Sequence, residues 1–134
     1  MFVDASAMVA ILANEPQRGA LLTCLDAEPS PVTSALAVFE TVAALSRRRA
    51  QSVEASEAQV REFLSIAGIA VVPITNAEAH AAVAAYARFG KGRGHPAQLN
   101  MGDCFAYACA RLRNLPLLFV GNDFSQTDIA TTMA

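Results

Sequence analysis

Four acidic residues stand in surroundings that suit an acid poorly, and they are the chain's best material for chemistry. Asp4 directly follows the apolar run Met1-Phe2-Val3. Asp123 follows the apolar run Pro116 to Val120 after a Gly121-Asn122 turn. Asp103 is followed by Cys-Phe-Ala-Tyr-Ala-Cys-Ala, with no charge before Arg111. Glu40 is the one charged residue between Ala35 and Leu45, and on a helix it shares a face with Leu36, Phe39, Ala43 and Ala44. A helix apolar on nearly all sides is a buried one, which places Glu40 in or near the core. A buried ionised carboxylate needs a cation, strong hydrogen bonds or a shifted pKa. Each acid also has a purely structural reading. Asp4 would be a helix cap, Asp103 an acid favoured by the helix dipole three residues past Asn100, Asp123 a turn residue and Glu40 half of an ion pair. One shared site explains all four at once. No abundance of basic residues adjoins them, so the economical counter-ion is a metal. An all-oxygen ligand set selects the hard cations Mg²⁺ or Mn²⁺ over zinc.

Other chemistries fit less well. His80 and His95 have no Cys or second His at ligand spacing, which argues against zinc and against a Cys–His nucleophile. No G-x-S-x-G elbow occurs. The loop Gly90-Lys91-Gly92-Arg93-Gly94 lacks the spacing and ending of a P-loop; it reads either as a phosphate cradle or as a flexible surface loop. An aspartyl-phosphate domain would often place a second acid two residues after the first, but Ala5 and Ser6 follow Asp4.

The elements that must position these acids alternate between strand and helix. Met1–Val3 reads as a buried strand, and Ser6 as the cap of a helix through Leu12. A second helix covers Arg18 to about Asp26, and Pro31-Val32-Thr33 is a short strand. Ser34 caps a helix over 35–50, and another spans about 52–67 with the stripe Val60, Phe63, Leu64, Ala67 and an exposed Glu57–Arg61 pair. Ile69 to Ile74 has the β-branched continuity of a strand buried on both faces. Asn76 caps an Ala-rich helix that Gly90 is placed to end at C′. Asn100 opens a helix with the stripe Phe105, Ala108, Cys109, Leu112, and Pro116–Val120 is the last clear strand. The pattern predicts an α/β/α sandwich with a mostly parallel central sheet. In such sheets the ligand crevice lies beyond the strand carboxyl ends, where Asp4 and Asp123 fall.

Composition sets the outer limits. A chain of 134 residues, 54% apolar and 16% charged, is foldable as one domain over 1–134 and is not a disordered chain. Its apolar runs fall short of the ~20 residues that span a bilayer, so no membrane is expected. With no basic leader and an odd count of 3 cysteines, the expected location is cytoplasmic with reduced thiols. The net charge of −2 conceals basic clusters at Arg47, Arg48 and Arg49 and at Arg88, Lys91 and Arg93.

Several segments together resemble one family. These are the opening Phe-Val-Asp-Ala-Ser-Ala, the isolated Glu40 in Ala-Val-Phe-Glu-Thr, the run from Gly90 to Ala108, and the ending Leu-Leu-Phe-Val-Gly-Asn-Asp-Phe-Ser-Gln-Thr-Asp-Ile. Over essentially the whole chain they look like the VapC toxins of type II toxin–antitoxin (VapBC) modules, PIN-domain ribonucleases. The resemblance implies a PIN fold, Mg²⁺- or Mn²⁺-dependent endoribonucleolytic cleavage of RNA, inhibition by a VapB antitoxin, a homodimer and a toxin–antitoxin hetero-oligomer. By position it assigns catalysis and metal binding to Asp4, Glu40 and Asp103. Asp123 fits best as the fourth acid, with Asp128 able to replace or assist it. Ser6 and Asn122 match supporting polar positions. Arg47, Arg48, Arg49, Lys91 and Arg93 are the candidate RNA contacts, and the helices over 35–67 could offer the antitoxin a groove. The alternatives are a non-catalytic RNA-binding or protein-interaction module with the same fold, or the aspartyl-phosphate domain.

Overall fold

Alternating apolar runs and amphipathic segments become short strands and longer helices in the computed structural model, which describes residues 1–132. Strand β1 (Phe2–Val3) leads into α1 (Ala5–Leu12) and α2 (Arg18–Asp26). Strand β2 (Val32–Ser34) leads into α3 (Ala35–Arg49) and α4 (Val53–Ala67). Strand β3 (Ala70–Val72) leads into α5 (Asn76–Phe89) and α6 (Met101–Leu112). Strand β4 (Leu117–Leu118) precedes a 3-10 turn over Phe124–Gln126.

The strands pair in parallel in the order β3-β2-β1-β4, with Phe2 opposite both Val32 and Leu117. All carboxyl ends therefore point the same way. Successive strand residues face opposite sides of the sheet. Phe2 and Leu117 join Ala82, Phe89 and Cys109 of α5 and α6, while Val3 and Leu118 join Met8, Leu21, Leu45 and Val60 of α1–α4. Helices thus cover both faces, the expected sandwich.

Several local expectations need correction. The run Ile69–Ile74 is not a strand buried on both faces: only Ala70–Val72 pairs, at the sheet edge, with Ala70 and Val71 exposed. β-Branched continuity signals a strand but not its place in the sheet, and Pro73, with no N–H to donate, follows it. Thr75, not Asn76, caps α5, in a capping box with Glu78. Gly90 is extended (φ −66°) rather than left-handed. It is glycine because a Cβ there would stand 2.5 Å from the Tyr86 carbonyl oxygen. On α6, Leu112 is exposed while Ala106 to Ala110 are all buried, so the helix is covered around most of its girth and not on one stripe. Among the described residues no helix is long and apolar enough to cross a membrane.

Candidate active site

Asp4 sits where β1 gives way to α1. Its backbone is extended and its carboxylate accepts the Ser6 N–H at 3.0 Å, so Asp4, not Ser6, caps α1. Ser6 instead ties two strand ends together: its hydroxyl donates to Asp4 Oδ2 at 2.6 Å and accepts the Val120 N–H at 3.0 Å. The Asp4 N–H donates to the Leu118 carbonyl, and the Thr33 hydroxyl donates to the Val3 carbonyl. Three neighbouring strands are thereby locked at the end where Asp4 emerges.

Asp103 arrives from α6. It occupies the first turn in a reciprocal box with Asn100, each side chain accepting the other's backbone N–H. The structural reading of Asp103 is therefore correct, and it does not exclude the functional one, because the carboxylate also lines the cleft. Glu40 comes from α3. It is half-buried and not in the core, since its face of α3 forms the wall of an open cleft. That cleft, about 530 Å³, is lined by Asp4, Ser6, Phe39, Glu40, Ala43, Ala44, Arg47, Arg48 and Asp103, with Glu15 and Val120. The Glu40 carboxylate lies against Gly102, where a Cβ would fall 1.9 Å from Oε2. Glycine within a helix costs about 1 kcal/mol relative to alanine, and here that cost makes room for an acid. A glycine in a helix's first turn with no turn to serve was the available signal for Gly102 in the sequence.

The electrostatics separate these acids from the chain's other carboxylates. Burial pushes the Glu40 carboxyl up to about 7, and repulsion from Asp4 and Asp103 adds to it. Burial likewise raises Asp103 to about 6, with Asp4 and Asp123 contributing and the Asn100 N–H opposing. Asp4 is raised mainly by burial, against its Ser6 hydrogen bonds, with Asp123 adding repulsion. Among the described residues none of the three makes an ion pair. Glu78 behaves oppositely, because its partners outweigh any cost of burial. Thr75 hydrogen bonds and the Arg113 guanidinium at 3.2 Å hold it down to about 2. Glu78 has a cation beside it; among the described residues these three have hydrogen bonds at most and one another's charge.

Neither candidate for the fourth acid is among the residues lining the cleft, and the two differ in their partners. Asp123 is exposed, follows the last strand and acts on both Asp4 and Asp103. Asp128 is engaged elsewhere: Tyr107, Arg88 and Arg111 hold its carboxylate and lower its pKa, the Tyr107 hydrogen bond most. Asn122 is exposed and its side chain makes no hydrogen bond among the described residues. Of the basic candidates, Arg47 and Arg48 line the cleft, with Arg48 paired to Glu15. Arg49 points to the Leu12 carbonyl. Lys91 and Arg93 are exposed on the glycine loop, outside the cleft lining, and Arg93 lies over the Tyr86 ring.

The donor chemistry suits a hard divalent cation: oxygen ligands, raised pKa values and no pairing cation. Among the described residues no three His, Cys, Asp or Glu side chains converge tightly enough to enclose an ion. An ion there would keep several waters, as Mg²⁺ ordinarily does.

Comparison with known proteins decides the family. The model of the PIN domain matches residues 1–130. The chain belongs to the PIN-domain family. Within it, the chain groups with the VapC proteins. It is 43% identical to a VapC ribonuclease of Rhizobium meliloti, covering 96% of this chain and 98% of that protein. It is 39% identical to ribonuclease VapC42 of Mycobacterium tuberculosis, covering 96% of each. The same PIN fold recurs in the crystal structure of Mycobacterium tuberculosis VapC20, described as a sarcin-ricin loop cleaving toxin. That match has a TM-score of 0.76 at 18% identity, over 96% of this chain and 95% of that one. A toxin–antitoxin complex from Klebsiella pneumoniae matches with a TM-score of 0.68 at 20% identity, over 92% and 89%.

Gly102 supplies a direct test of the PIN site. Gly102→Ala is expected to raise or preserve thermal stability, because alanine favours the helix by up to about 1 kcal/mol and the displaced Glu40 end is flexible. Moving that carboxylate should lower cleavage of RNA at least about tenfold. Melting curves and a cleavage assay on the same sample check both halves. Undiminished cleavage would mean that the position of Glu40 is immaterial.

Proposed function

We propose that this PIN domain, acting as one unit over 1–134, is a metal-dependent endoribonuclease toxin restrained by a small VapB-type antitoxin in the cytoplasm. The observation that carries the reading is the meeting of Asp4, Glu40 and Asp103, from three distant parts of the chain, in one cleft without a pairing cation. The VapC relatives supply the substrate class.

Asp4, Asp103 and Asp123 would hold Mg²⁺ or Mn²⁺, with Glu40 beside them. When bound, the ion supplies positive charge that favours ionisation of water and offsets charge developing on the phosphate. Glu40, on the cleft wall beside Asp4 and Asp103, would be positioned to accept a proton from the attacking water. Ser6 and the Val120 N–H keep Asp4 oriented. Arg47 and Arg48 border the cleft on the side where the RNA backbone would enter, and the loop cations Lys91 and Arg93 would extend the contact. Asp123 is the fourth acid, since Asp128 is spent on its arginines. Incubating the protein with RNA, with and without Mn²⁺, tests the reading. Cleavage that requires Mn²⁺ supports it, and no cleavage, or an acid-labile phosphate on Asp4, refutes it.

The antitoxin would seat against the α4 half of the α3–α4 hairpin, on the side that faces α2. Between α2 and α4 runs an apolar groove with Leu12, Leu22 and Phe63, and Ile66 there is 79% exposed. Ile66→Glu is expected to leave cleavage intact but weaken inhibition by the neighbouring small protein at least about tenfold. Titrating the inhibitor against both toxins measures this, and equal inhibition curves would move the antitoxin off this groove. A homodimer would use a separate apolar patch, with Val83, Tyr86 and Met101 exposed between α5 and α6.

A further inference from the structure

The α3 face that carries Glu40 looks in sequence like a face bound for the core, yet its largest side chain ends up outside. Phe39 is 70% exposed, and its ring lines the carboxylate cleft. Ala43 and Arg47 follow it at successive i+4 positions and line the same cleft. An aromatic ring, a small residue and a cation thus climb one wall over about 12 Å, two turns of helix. Arg47 makes no ion pair among the described residues.

We infer that Phe39 is a stacking platform for one unpaired nucleobase of the RNA substrate, placed beside the scissile phosphate, with Ala43 leaving room for the strand and Arg47 holding the next phosphate. The inference rests on the nuclease reading above and adds to it a residue that selects substrate. Every base has a face that can stack on an aromatic ring, and bases in single strands are free to do so, whereas those in a duplex already stack on each other. A protein segment is the less favoured occupant. On its other side Phe39 borders the α3–α4 groove, whose two charges, Glu57 and Arg61, pair with each other at 3.5 Å. The unpaired cation lies on the cleft side, where a phosphate would meet it.

The test measures binding of fluorescein-labelled eight-nucleotide RNAs to the full chain in EDTA, by anisotropy. Phe39→Ala and Phe39→Leu are expected to bind about 5- to 150-fold more weakly, the range that one stacked base contributes. Phe39→Trp should bind as well as wild type or better. Scanning an abasic sugar along the RNA should find one position that weakens wild type by a similar factor and leaves Phe39→Ala unchanged. Melting temperatures should hold, since the ring is mostly in solvent. If Phe39→Leu binds as wild type does, or every abasic position costs the two proteins alike, the platform is overturned while the nuclease reading stands. If the variants keep RNA but lose antitoxin, the ring serves the protein partner and the inference falls. A wild type that neither binds nor cuts RNA removes the nuclease reading and the platform together.

Discussion

Asp103→Asn is expected to abolish RNA cleavage while leaving the metal-free protein at least as stable as wild type. The two effects arise from one charge. Asp103 is held to about 6 by burial and by Asp4 and Asp123, so at neutral pH its ionised form is strained in the folded protein. Removing the charge relieves that strain, worth about 1 kcal/mol after solvent screening, or roughly 3 °C in a domain of this size. Asparagine keeps an oxygen for the Asn100 N–H, so the cap of α6 survives. Metal that binds only the folded state stabilises wild type with the logarithm of its concentration, and the variant should gain much less. Cleavage should fall on the order of 100-fold or more. Thermal melts in EDTA and in Mn²⁺, with a cleavage assay, read all three quantities. A variant less stable in EDTA that gains as much as wild type from Mn²⁺ would make Asp103 a cap and nothing else.

Uptake of Mn²⁺ is expected to expel about one proton per ion at about pH 6.5 and to weaken steeply in acid. In the metal-free protein Glu40 titrates at about 7 and Asp103 at about 6. Near pH 6.5 the first is mostly protonated and the second mostly ionised, and an ion drawn to them displaces the remaining protons. Apparent affinity should fall roughly twentyfold from about pH 8 to about pH 6, and faster below. The sign for folding follows from the same values. Both pKa values are raised above their unfolded values of 4.5 and 3.8, so between about 4 and 7 the folded state holds protons that the unfolded chain has lost. Metal-free stability should therefore decline as pH rises through that window, the reverse of a carboxylate held in an ion pair. Calorimetry in buffers of different ionisation enthalpy counts the protons. A count of zero would mean that these carboxylates are already ionised or that the ion binds elsewhere.

The acids proposed for the site stand out because a lone charge in an apolar stretch is conspicuous in sequence, and because strand ends are where α/β sheets keep their ligands. The layers were legible for a similar reason, since apolar periodicity marks the faces that face inward. What periodicity does not encode is which inward face meets protein and which meets an open cleft. Phe39 and Leu36 share one helical pattern with Glu40, yet the cleft leaves Phe39 in solvent. The edge position of β3 was hidden likewise, because strand order depends on how the crossovers run and not on the residues of Ala70–Val72. The sequence leaves the α1 cap as either Asp4 or Ser6 and puts the α5 cap one residue late, because Asp, Ser, Asn and Thr can all cap a helix and residue type alone does not say which has the extended backbone.

The strand order also bears on the birth of the molecule. Phe2 is made well before Leu117, one of its sheet partners. Asp103, Asp123 and the Val120 N–H that steadies Ser6 all belong to that late stretch. Synthesis runs at about 5–20 residues per second, so for several seconds the growing chain carries Asp4 with no finished site around it. A chain built this way would not be expected to cleave RNA before that stretch has emerged. The candidate site thus forms only once the β4 segment has emerged to pair with β1.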